Sequence, residues 1–155
     1  MSYANDMPTV EKVSRTQAGL ASELRTSVMR LRRRLAVERH PDNELSLPSM
    51  AVLGALHRHG EMSLGALASH ERVQPPSMTR TVNCLEEGGY VARRPHDSDG
   101  RQVVISLEDK GRETLLADRA RRDAWLARRL RDLSPEERDV LRQAAPILER
   151  IAGSD

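Results

Sequence analysis

One break in periodicity constrains this chain more than any other feature. Up to Glu87 the apolar residues recur at helical spacing. After Gly88–Gly89 come two short runs, "YVARRP" and "QVVISL", separated by "HDSDGR". From Glu108 the helical period returns. Side chains repeat every two residues on a strand and every 3.6 on a helix, so one pattern cannot serve both structures. Two β-like runs joined by an Asp/Gly turn read as a hairpin. The chain must therefore hold a hairpin within an otherwise helical molecule.

The helical segments have their own punctuation. Residues 1–9 show no periodicity, and a helical pattern starts at about Val10. Leu20, Leu24, Val28, Leu31 and Leu35 form one apolar stripe on a helix of roughly 30 residues, with Arg25, Arg32 and Arg33 on the opposite face. Such a length suits packing against another subunit. Pro41 and Asp42–Asn43 end the pattern. A second helix follows, with Ser46 as N-cap, Pro48 in its first turn and Gly60 as its stop. A short third helix is capped by Ser63 and packs through Leu64, Leu67 and Ala68. Beyond the hairpin come two more helices. The first is long and charged, with Leu115, Leu116, Trp125, Leu126 and Leu130 apolar. The last opens with Ser134, Pro135 and Glu137 as a capping box, and its stripe is Leu141, Ala144, Leu148 and Ile151. Pro146 is expected to interrupt or kink it.

The segment "QPPSMTRTVNCLEE" carries the chemistry. On a helical wheel Met78, Val82 and Leu85 share a narrow arc, with Thr81 at its border. Arg80 and Asn83 lie opposite, flanked by Ser77, Thr79 and Cys84. The apolar arc docks the helix, and the other face offers donors and acceptors suited to base edges and phosphates. Pro75 and Pro76 remove N–H groups that could have held a phosphate, so side chains such as Gln74 must do that work. A short helix, a turn and this helix form a helix-turn-helix, and the hairpin behind it makes a wing. Arg101 at the wing tip is placed to enter a minor groove, where the negative potential attracts arginine.

The stretches "SMTRTVNCLEEGGYVAR" and "DGRQVVISLEDKG" make the pattern specific. The run from Ser63 to Gly111 resembles the MarR family of winged helix-turn-helix regulators. The resemblance implies that Ser77, Thr79 and Arg80 meet DNA in the major groove, that Asp99 shapes the wing and that Arg101 enters the minor groove. With Gln74 and Asn83 these make up the expected DNA-binding residues. Family members work as homodimers on pseudo-palindromic duplex operators, often as repressors released by small phenolic ligands. The implied fold class is mainly α with a small β-hairpin wing. Residues 1–44 would be an N-terminal helix of the dimerisation region, 45–107 the winged helix-turn-helix lobe, and 108–155 the C-terminal dimerisation helices. The effector would sit between lobe and dimer helices, in a pocket lined by Leu, Val, Met and Arg. Asn83 stands where many members carry an acidic residue and Cys84 where many carry a basic one. The wing reads Asp-Gly-Arg where an Asp-Arg-Arg is usual.

Composition narrows the rest. The chain has 155 residues, 38% hydrophobic and 31% charged, a globular balance with room for one core. With two Tyr, one Trp and no Phe, it lacks the stacking platforms of single-strand binders. A single cysteine, Cys84, precludes an intrachain disulfide and points to a reducing, cytoplasmic setting. There is no apolar run of ~20 residues for a membrane span, and no signal-peptide pattern. No nucleophile–base pattern or phosphate-binding Gly-rich loop is present, so no enzyme, catalytic residue or cofactor is expected. His57 and His59 are two residues apart and point to different sides of a helix, so no metal is expected. "DSDG" resembles the start of a calcium loop, but strand residues intervene before Glu108, which favours the hairpin. The Arg30–Arg34 cluster reads as a solvated helix face and Cys84 as a plain, partly exposed thiol. The alternative to DNA binding is a winged helix that binds protein, because Ser63–Arg101 is not strongly basic.

Overall fold

The computed structural model describes residues 16–153. The chain divides into two compact units after Glu38. The first contains helix α1 (Gln17–Ala36), capped by Thr16, whose hydroxyl accepts the Gly19 N–H at 3.0 Å. The expected start near Val10 and the aperiodic residues 1–9 lie outside the described residues. The predicted stripe is exposed except at Leu35, which is half-buried: Leu20 is 52% and Val28 45% accessible.

The second unit runs α2 (Leu47–His59), β1 (Met62–Ser63), α3 (Leu64–His70), α4 (Pro75–Glu87), β2 (Val91–Pro95), β3 (Val103–Leu107), α5 (Asp109–Arg131) and α6 (Pro135–Gly153). The expected caps are in place. The Ser46 and Ser63 hydroxyls accept the Ser49 and Ala66 N–H groups at 3.2 and 3.1 Å. Ser134 and Glu137 exchange the two bonds of a capping box, at 3.1 and 2.8 Å. At the same helix start a backbone hydrogen bond, and then one to Ser134, hold the Glu136 carboxyl below its usual range. Gly60 ends α2 with a positive φ.

The hairpin pairs as expected, antiparallel from Val91 opposite Leu107 to Pro95 opposite Val103. A third strand joins it: β1 pairs with β3, Met62 opposite Ile105, giving the order β1-β3-β2. The core packs helices α2, α3 and α4 on this sheet. Leu53, Leu67, Val82, Leu85 and Ile105 are fully buried. Leu115 of α5 joins them.

Helix α5 also buries a charge. Asp118 is 0% accessible. Its carboxylate accepts the His40 backbone N–H at 2.9 Å and the Asn43 side-chain amide at 2.7 Å. Arg39 and Arg122 approach it at 3.8 and 3.7 Å. These contacts fasten the segment leading into α2 onto α5. Helix α6 is not interrupted at Pro146 as expected, but continues from Pro135 to Gly153. Pro146 is exposed, so the carbonyl deprived of its helical N–H can turn to water. No α6 residue is buried, and Val140, Leu141, Ile147, Leu148 and Ile151 are all exposed.

Candidate nucleic-acid interface

Helix α3, its turn and α4 form the helix-turn-helix. At the end of α3 the Val73 N–H donates to the Ala68 carbonyl at 3.0 Å, with Arg72 in the left-handed region at φ 53°. This Schellman closure is usually made by glycine. It fixes the turn that delivers Gln74, the N-cap of α4. The Gln74 carbonyl accepts the Ser77 and Met78 N–H groups, while its side chain makes no capping bond. Pro75 and Pro76 occupy the first two helical positions, where the missing N–H groups leave no helical bond unmade.

The two faces of α4 separate as the wheel indicates. Met78, Val82 and Leu85 are buried, whereas Gln74, Ser77, Thr79, Arg80 and Asn83 are exposed. The Thr79 hydroxyl donates to the Pro75 carbonyl at 3.0 Å, so its proton is engaged within the helix and its oxygen is left to accept. Among the described residues Arg80 forms no ion pair. Cys84 is exposed beside this face.

The end of α4 is built to close tolerance. Tyr90 N–H reaches the Leu85 carbonyl at 2.9 Å, with Gly89 at φ 77°, a second Schellman closure that turns the chain into β2. Lys110 of α5 donates to the Gly88 carbonyl at 2.7 Å and lies over the Tyr90 ring. A Cβ on Gly111 would stand 2.3 Å from the Tyr90 carbonyl oxygen, so only glycine allows α5 to start there. These contacts set the angle between recognition helix and wing.

At the wing tip the His96 N–H donates to the Gln102 carbonyl at 2.8 Å, closing the loop as a hairpin rather than an ion-binding loop. The Asp99 carboxylate accepts the Arg101 backbone N–H at 3.1 Å. Both residues are exposed, and the Arg101 guanidinium forms no ion pair among the described residues. The two arginines of β2 differ from it. Arg94 pairs with Glu61. Arg93 donates to Glu86 at 2.8 Å and also to the Asn83 side-chain oxygen. Sequence reasoning missed both ties. Their one visible signal is that neighbouring strand residues point to opposite faces, so "RR" cannot present both charges to one partner.

The MarR family model matches residues 45–103, which span the helix-turn-helix and most of the wing. An uncharacterized HTH-type transcriptional regulator of Mycobacterium bovis is 47% identical over 133 residues, 86% of this chain and 92% of that protein. The chain belongs to the MarR family. This MarR chain is thus a DNA-binding helix-turn-helix transcriptional regulator and not an enzyme. The HTH-type transcriptional repressor MdtR of Bacillus subtilis is 33% identical over 65% of this chain and 63% of its own. The structure of a MarR family protein from Bacillus stearothermophilus superposes with a TM-score of 0.78 at 25% identity, covering 91% of this chain and 98% of that one. None of the helices among the described residues of the MarR chain is long and apolar enough to cross a membrane. Beside α5 its second unit has a cavity of about 230 Å³ lined by His40, Asp42, Asn43, Tyr90, Glu113, Thr114 and Ala117, a lining with none of the Leu, Val, Met and Arg expected of an effector pocket.

Proposed function

We propose that this regulator binds a pseudo-palindromic duplex operator as a homodimer and acts as a cytoplasmic repressor relieved by a small-molecule effector. The observation that carries the reading is α4 itself. Its apolar arc is fully committed to the core, while Arg80 and its polar neighbours face outward. Gln74, Ser77, Thr79, Arg80 and Asn83 would meet the major groove. Arg101, on a loop held by Asp99, would meet the minor groove. The exposed apolar stripes of α1 and α6 support a dimer, because such stripes are stable in water only when covered. In this reading residues 1–44 and 108–155 supply the dimer contacts and 45–107 read the operator. Two α4 helices one DNA turn apart, ~34 Å, would then read two half-sites. The repressor role is supported by the likeness to MdtR.

Selection from a random duplex pool tests this directly, and a palindromic consensus is the expected outcome. Arg80→Ala is expected to weaken binding to that consensus by ~1–3 kcal/mol and to relax one position of each half-site. An unchanged mobility shift would remove Arg80 from the interface. Arg101→Ala is expected to weaken binding and to reduce the slope of log K against log salt by about 1 per site. A slope equal to that of the parent would take the wing off the DNA. Failure to find salt-sensitive binding to any duplex would favour a protein-binding winged helix instead.

A further inference from the structure

The clasp between α4 and β2 bears on how the operator is read. Arg93 leaves β2 and contacts two residues of the recognition helix, the carboxylate of Glu86 at 2.8 Å and the side-chain amide of Asn83. A guanidinium has five N–H donors and no acceptor. Only the oxygen of an asparagine amide can meet it, so the chemistry settles which way the Asn83 amide is turned. Its oxygen faces Arg93 and its NH2 group is left to point elsewhere. Asn83 is exposed and lies one turn beyond Arg80 on the same face of α4.

We infer that Arg93 is a positioning residue that orients Asn83 as a hydrogen-bond donor to an acceptor on the duplex. The inference rests on the operator-binding role of the α4 face. Free asparagine typically contacts adenine with its oxygen and NH2 together. With its oxygen turned to Arg93, Asn83 directs its NH2 group away from β2. The fitting partners are acceptor groups: N7 or O6 of guanine, N7 of adenine, O4 of thymine, or a phosphate oxygen. An aspartate at this position would satisfy Arg93 equally well but would offer DNA no donor and a repelling charge. Asn83 and Arg93 thus act as a unit: the strand sets the polarity of a helix side chain.

The test begins with the consensus duplex selected by the parent protein. Asn83→Asp and Asn83→Ala are both expected to bind it at least tenfold more weakly, with thermal midpoints showing that each is folded. The charged variant isolates the loss of the donor with Arg93 still satisfied, and the neutral one removes repulsion as an explanation. Duplexes carrying 7-deazaguanine, 2-aminopurine in place of guanine, 7-deazaadenine, 5-methyl-2-pyrimidinone in place of thymine, or single methylphosphonates then locate the acceptor. One such substitution is expected to weaken the parent severalfold and leave Asn83→Ala unaffected, and its type says whether the partner is base or phosphate. Arg93→Ala is expected to abolish that coupling and Arg93→Lys, also a pure donor, to retain it. Parent-like affinity in Asn83→Ala, or in Asn83→Asp, would overturn the inference, as would coupling that survives Arg93→Ala. If the parent selected no duplex at all, the operator-binding role would fall first and this inference with it.

Discussion

Replacing Asp118 by alanine is expected to destabilise the second unit by about 3 kcal/mol, mostly through hydrogen-bonding groups left buried without a partner. Asp118 is wholly buried and holds the His40 N–H and the Asn43 amide. Without it, the His40 N–H loses its acceptor and the Asn43 amide keeps only a weak bond to the Met50 sulfur at 3.3 Å. Arg39 and Arg122 lose a counter-charge too, but at 3.8 and 3.7 Å they are beyond hydrogen-bond distance; the Arg39 Nε facing Asp118 is buried, while the two side chains are otherwise 26% and 27% accessible, so water takes up part of that loss. The ion pairs therefore contribute less than the two hydrogen bonds. Urea denaturation checks this through a lower midpoint at unchanged slope. Asp118→Asn keeps an acceptor for one of the two donors and should cost about half as much. Equal stability of Asp118→Ala and the parent would show that the 39–45 segment is not held by this carboxylate.

Leu85→Ala is the second large effect, with an expected loss of about 3 kcal/mol. Leu85 is fully buried, with Val82 beside it on the inner arc of α4. The loss combines the transfer of its methyl groups with the cavity left behind. The comparison with Arg80→Ala is informative because both residues lie on one helix, five positions apart and on opposite faces. Leu85→Ala should lower the denaturation midpoint and leave operator affinity near that of the parent at temperatures where it is folded. Arg80→Ala should do the reverse. If Leu85→Ala cost less than about 1 kcal/mol, its neighbours would have to collapse into the space, which a close-packed core rarely permits.

Much of the molecule is legible from residues a few positions apart. The caps at Ser46, Ser63 and Ser134 were readable because a hydroxyl reaches the N–H groups three residues on. The stop at Gly88–Gly89 was readable because a positive φ suits glycine. The inner arc of α4 was readable because three apolar residues at helical spacing leave one way to dock. Its outer face was identified with the same precision, since whatever is not docked is exposed.

Other features depend on partners far along the chain. Strand β1 has two residues, too few for a period, and exists only because β3 offers it a paired edge. Asp118 could have been suspected, because Gly111, Leu115, Asp118 and Arg122 fall on one helical stripe. Its donors, however, come from residues 75 and 78 positions away. Nothing near them in the sequence marks the partners of Arg93 and Lys110, because only the fold brings Asn83, Glu86 and the end of α4 to them. The sequence alone therefore determined the helices, the two hairpin strands and which side of α4 faces outward, because caps, stops and periodicity act over one or two turns. Only the tertiary structure decided which charges are held within the protein, because an ion pair depends on distance in space and periodicity carries no information about that distance.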